Sequence, residues 1–100
     1  MKRKKAGRPS KPETAAVVLR LYISKNAPNS ILALANINAI ANDYVGKIKL
    51  EVIDVLEHPL RALADGILVT PSLTKASPLP RAKIVGNLND TDKVLLGLGL

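Results

Sequence analysis

The sequence contains no cysteine, no phenylalanine and no tryptophan, and its 100 residues include only two tyrosines and one histidine. Without a thiol there is no disulfide framework, no thiolate zinc site, no iron–sulfur cluster and no cysteine nucleophile, and cysteine usage says nothing of redox compartment. Two tyrosines cannot build the aromatic platforms on which single-stranded nucleic acid modules rely. No run approaches the ~18 apolar residues that span a bilayer. The basic start continues into Ala-Gly-Arg-Pro-Ser rather than the apolar core of a signal peptide, so a cytoplasmic protein is expected, with no membrane partner. What is present is an apolar fraction of 47%, which fits a folded chain. A domain of this length buries only about two-thirds of the surface its unfolded chain exposes, so association with other chains would help it.

Lysine and arginine total 15 against 8 acidic residues, a net charge of +7. The excess is uneven. Residues 1–14 hold Lys2, Arg3, Lys4, Lys5, Arg8 and Lys11 against Glu13, and have no apolar periodicity, so they read as a disordered basic tail ahead of a domain over residues 15–100. That domain is nearly balanced.

In Val17–Ile23 the odd positions are all apolar while Arg20 and Tyr22 share the opposite face, the period-2 pattern of a strand. The turn residues Ser24 to Ser30 stop it, and Asn29 or Ser30 is expected to cap the next helix. That helix, roughly Ile31 to Tyr44, places Ile31, Leu34, Ile37 or Asn38, and Ala41 on one stripe. From Ser30 to Asn42 it carries no charge, so its exposed face is either an alanine-rich solvent face or a contact with another chain. Gly46 ends it, and Ile48–Val55 follows as a strand with Ile48, Leu50 and Val52 inward and Lys49 and Glu51 outward. Strand, helix and strand make a right-handed βαβ unit with parallel strands.

The second half gives conflicting signals. Leu60 to Leu68 has helical spacing after Pro59, yet Ile67-Leu68-Val69 is also a short strand-like run. Two short strands around Leu73 and around Ala82, Ile84 and Val85 are interrupted by Pro78 and Pro80, and Gly86 closes the stretch. Asn87-Leu88-Asn89-Asp90-Thr91-Asp92 offers several caps, Asp90 and Asp92 among them, and early acidic residues for a last helix, Lys93 to Leu100, weakened by Gly97 and Gly99.

Leu21-Tyr22-Ile23 with Asn26-Ala27-Pro28-Asn29-Ser30, then Val52-Ile53-Asp54-Val55-Leu56, then Ile67-Leu68-Val69-Thr70-Pro71-Ser72-Leu73-Thr74-Lys75, then Ile84-Val85-Gly86-Asn87-Leu88 with Asp90 and Lys93-Val94-Leu95 resemble the KaiB family. The match runs in order over about residues 17–100. The resemblance implies a non-enzymatic protein of circadian or stress-related timing that binds the hexameric RecA-like ATPase KaiC, with a sensor histidine kinase competing for the same partner. It also implies an α/β domain with a constant N-terminal βαβ unit and a C-terminal half that is either thioredoxin-like or in the family's ground-state arrangement, a dimer or tetramer at rest. Conflicting local preferences are what a two-state segment would show. Thr70, Pro71, Pro78, Pro80, Gly86 and Asp90 are the candidates for fold choice, the prolines because X-Pro bonds exchange isomers slowly; the alternative is that they only shape loops.

In the thioredoxin-like reading, Ala27-Pro28-Asn29-Ser30 falls where thioredoxins carry Cys-x-x-Cys, and Thr70-Pro71 resembles their cis-proline loop. With no thiol, disulfide exchange is impossible and a docking surface remains. Lys47, Glu57, Arg81 and Lys83 are the candidate partner contacts. Compared with cyanobacterial members, Glu57 replaces a lysine, Leu63 and Ala64 replace acidic residues, Ala82 replaces an arginine and Asn87 an aspartate. Such charge changes alter specificity and on-rate more than fold, and imply a KaiC-like partner of the chain's own, outside a complete KaiA–KaiB–KaiC oscillator.

For catalysis there is little. His58 precedes Pro59 at a helix start and reads as an exposed loop residue, the carboxylates show no paired spacing, and no Walker, Gly-x-Ser-x-Gly or dinucleotide pattern occurs. No cofactor or metal is expected. The tail segment with Lys4, Lys5, Arg8 and Lys11 is similar to minor-groove AT-hook peptides, although Ala6 stands where they carry arginine. A thiol-less thioredoxin-like module with a DNA-binding tail is therefore the competing reading, and a KaiB-like stress adaptor a third.

Overall fold

A computed structural model describes residues 16–100; the basic tail, with Lys4, Lys5, Arg8 and Lys11, lies outside the described residues. The elements are β1 (Val17–Ile23), α1 (Pro28–Asp43), β2 (Ile48–Asp54), α2 (Pro59–Ala64), β3 (Ser72–Ser77), β4 (Ala82–Val85) and α3 (Thr91–Leu98). They build one four-stranded sheet of order β2-β1-β3-β4. β1 pairs parallel with β2 from Val17↔Ile48 to Ile23↔Asp54, and β3 runs antiparallel to both β1 and β4. The N-terminal βαβ unit and the thioredoxin-like form of the second half are thus both present.

Alternation in β1 decides the layers. Val17, Leu19 and Leu21 are buried under α1 and α3 in a core with Ala33, Ile37, Ile40, Leu73, Val94 and Leu98. Each such leucine or isoleucine contributes about 1.5–3 kcal/mol by leaving water. Tyr22, expected on the outer face, is equally buried, because α2 covers that face and packs Ala62 against Tyr22 and Ile53. A helix on each side makes a three-layer α/β/α body.

Several local expectations shift. α1 begins three residues early at Pro28, whose fixed φ suits the first helical position, and its N-cap is Ala27 with no side-chain bond, so neither Asn29 nor Ser30 caps it. Its buried face is Ser30, Ala33, Ile37 and Ile40, while Ile31 and Leu32 stand exposed. A helix apolar on all sides gives periodicity no means of choosing between adjacent stripes. In β2, Ile53 is buried and Val52 exposed, the reverse of the expectation, because β2 is an edge strand whose outer face is the one α2 covers. Leu60 and Leu63, which share helical spacing, are exposed; α2 touches the sheet through Ala62, its one buried residue. Ile67-Leu68-Val69 forms no strand. α3 starts at Thr91 behind Asp90, which accepts a hydrogen bond from the Lys93 N–H as N-cap, and Gly99 ends it in the left-handed region.

Candidate docking site

At the end of the sheet where β1 and β2 finish, two segments separated by some forty residues meet. The Ser24 Oγ and Thr70 Oγ1 atoms are 2.8 Å apart, and the Ser24 N–H donates to Ser30 Oγ at 3.1 Å. The Thr70–Pro71 bond is cis, as are Ser77–Pro78 and Leu79–Pro80, and the Pro71 carbonyl accepts the Gly86 N–H at 3.1 Å. Gly86 sits at φ +119°, a conformation that L side chains rarely adopt, with nothing within 4 Å of where a Cβ would stand; the backbone itself requires the glycine. Thr70, Pro71 and Gly86 are therefore one cluster. Pro78 and Pro80 lie apart, in the β3–β4 connection, and Asp90 caps α3. Of the two positions matched to thioredoxin thiols, Ala27 and Ser30, only Ser30 bears a hydroxyl, and His58, the one histidine, is exposed before α2.

The partner-contact candidates do not converge. Lys47 precedes β2 at one end of the sheet and Glu57 follows β2 at the other. There Glu57 lines an open cavity of about 370 Å³ with Ile23, Lys25, Ser30, Leu34 and Val52. Arg81 and Lys83, on the opposite edge, are engaged within the chain: Arg81 Nη2 contacts Asp65 Oδ1 at 3.4 Å, and Lys83 Nζ donates to the Gly66 carbonyl at 2.8 Å.

Those contacts belong to a polar network beneath α2 that sequence reading missed, because its members are distant in sequence. Asp65, with a side chain only 12% exposed, accepts from Arg20 Nη1 at 3.1 Å and from the Tyr22 hydroxyl as well as meeting Arg81. Arg61 closes the other side with two parallel bonds to Glu51, at 2.6 and 2.8 Å. Burial pushes the Asp65 carboxyl upward, but the hydrogen bonds from Tyr22 and Arg20 and the charges of Arg20 and Arg81 outweigh it, leaving it below its ordinary range. Burial, then the bond to Asp65, pushes Tyr22 up to about 12. Among signals in the sequence, only the outward alternation of Arg20 and Glu51 could have hinted at the network.

The network holds α2 with its apolar side turned out. Leu60 is 78% exposed and Leu63 72%, and they are flanked in the chain by exposed Leu56, Leu68 and Val69. A concentration of apolar side chains in solvent marks an interaction surface rather than a catalytic cleft. Among the described residues, no group of three or more His, Asp or Glu side chains could hold a metal ion, and no helix is long and apolar enough to cross a membrane.

A family model described as the KaiB domain matches residues 20–100. The chain is 49% identical over 84 residues to the circadian clock oscillator protein KaiB of a Picosynechococcus species, covering 83% of this chain and 81% of that one. It is 47% identical over 90 residues to the protein of that name from a Cyanothece species, covering 89% and 86%. Among solved structures it is similar to chloroplastic thioredoxin z, with a TM-score of 0.74 at 17% identity over 87% of this chain and 79% of that one. The N-terminal domain of Synechococcus elongatus SasA superposes with a TM-score of 0.71 at 22% identity, covering 96% and 93%. At these identities the structural neighbours establish the thioredoxin-like fold alone.

Proposed function

Because the chain belongs to the KaiB family of circadian clock proteins, we propose that it is a non-enzymatic timing protein of the cytoplasm that docks on a hexameric KaiC-like ATPase and modulates its cycle. The observation that carries this reading is the set of exposed apolar side chains Leu56, Leu60, Leu63, Leu68 and Val69 on and around α2, whose inner side is held by Ala62 packing and by the ion pairs of Arg61 and Asp65. A sensor histidine kinase, which the family resemblance implies, is the proposed competitor for the same partner. Glu57 borders that surface as a specificity contact, whereas Arg81 and Lys83 act chiefly by holding the α2 turn. The second half exchanges between the thioredoxin-like arrangement and an oligomeric resting state, with Thr70, Pro71, Gly86 and Asp90 as the proposed positions of that choice.

Molecular mass measured alone, and with the cognate hexamer plus nucleotide, tests the reading. A resting dimer or tetramer that becomes single subunits on the hexamer is expected, unaffected by deletion of residues 1–14. Leu60→Ser and Leu63→Ser should each weaken docking about tenfold, as loss of an interface anchor does. A persistent monomer that ignores the ATPase would overturn the proposal. Affinity for DNA that collapses with added salt and with removal of the tail would favour the basic tail as the binding element.

A further inference from the structure

Lys75 stands where the pattern calls for an apolar residue. On β3 it pairs with Leu19 of β1 and Ala82 of β4, on the sheet face that α1 and α3 cover, and it is only 6% exposed. Its Nζ donates to the Leu98 carbonyl at 3.1 Å. Among the described residues no carboxylate pairs with it.

The acceptor lies at the C-terminus of α3, where carbonyls lack partners within the helix and the dipole favours a cation. α3 supplies none, since its last turn has no basic residue. The chain reversal at Gly99 satisfies the Leu96 and Leu95 carbonyls through the Gly99 and Leu100 N–H groups, and Leu98 is left for the lysine. A Cβ at Gly99 would lie 3.7 Å from Nζ, so the amine is seated against the cap itself.

We propose that Lys75 is a latch between β3 and α3: its ammonium caps the last helix from the sheet, so that docking of α3 depends on one side chain of β3. Lysine suits a latch better than a leucine would. When α3 leaves, its flexible stem carries the charge into water, and the released state is not penalised by an exposed apolar group at this position. The proposal concerns α3 docking and is independent of which partner the protein binds.

The test is amide hydrogen exchange by NMR on the full chain, comparing the natural protein with Lys75→Met, which keeps the stem and removes the charge. The latch predicts that amides of Val94, Leu98 and Leu100 exchange at least about tenfold faster, the loss expected for a charged hydrogen bond, while those of Leu19 and Leu21 hold their rates. Unchanged or slower exchange in α3 would overturn it, since methionine would then be the better core residue. So would equal acceleration throughout the sheet, which would make Lys75 a general core support. Should the variant not fold, ¹⁵Nζ relaxation of the natural protein decides: the Lys75 ammonium is expected to be rigid beside exposed Lys49, and equal mobility would refute the latch.

Discussion

In β1, α1 and β2, apolar side chains at alternating and helical positions fill the core, whereas from Leu56 onward Leu73, Leu88, Val94 and Leu98 reach it while most large apolar side chains stand in solvent, and single polar groups add to the fastening. Asp65 ties the α2 turn to β1 and β4, Lys83 adds the Gly66 carbonyl, and Lys75 caps α3. Burial of apolar area is non-directional and additive over many residues, so no one contact in the first half decides its arrangement. A hydrogen bond or ion pair is directional and offers only a small net gain, so the second half can come undone one tie at a time. That difference is what the exchange proposed for the second half would require.

The contrast can be broken or sharpened by substitution. Leu19→Ala should have the largest effect, about 3 kcal/mol of global stability in urea unfolding, because a fully buried leucine leaves a cavity at the centre of the sheet. Asp65→Ala should cost about 2 kcal/mol by leaving Arg20 and the Tyr22 hydroxyl without their partner, and exchange should quicken in α2 and β4 before β1. If Asp65→Ala proved the costlier of the two, the division of labour would be wrong.

Acid and alkali probe the same network. The Asp65 carboxyl sits below its ordinary value when folded, so the stability it lends is complete above about pH 4 and lost as pH falls through the folded value. Asp65→Asn should flatten that acid limb. Tyr22 is raised to about 12 in the fold, so its contribution is complete below about pH 10 and lost as pH climbs through the folded value. Tyr22→Phe should remove the alkaline limb.

Gly97→Ala should act in the opposite direction. Its new Cβ would meet only the Cδ1 end of Ile84 closely, at 3.1 Å, and a small rotation there leaves a net gain of about 0.5–1 kcal/mol from helix propensity. Thermal unfolding would show it, and a loss instead would mean that Ile84 cannot give way. Leu60→Ala should change stability by less than about 0.5 kcal/mol, since the side chain is already in water.

The first half was legible because its signals are local: alternation in Val17–Ile23 marked β1, and the length of the uncharged stretch marked α1. Where that reading slipped, at Ile31, Val52 and Tyr22, the deciding fact was which face of the sheet a helix covers, which periodicity within one segment does not encode. In the second half the residue motifs pointed to the family while the elements stayed ambiguous. Ile67-Leu68-Val69 has strand propensity but no strand to pair with, since β3 takes the place beside β1.

By itself the sequence determined the absence of thiol chemistry, the βαβ start, a capped last helix and the family, because each depends on residue identity or on spacing within a few turns. Tertiary structure alone decided that Arg81 and Lys83 reach across the surface to the α2 turn, that Leu60 and Leu63 turn out, and that a lysine belongs in the core at position 75. Those outcomes depend on groups tens of residues apart meeting at hydrogen-bond distance, and no property of a single segment carries that distance.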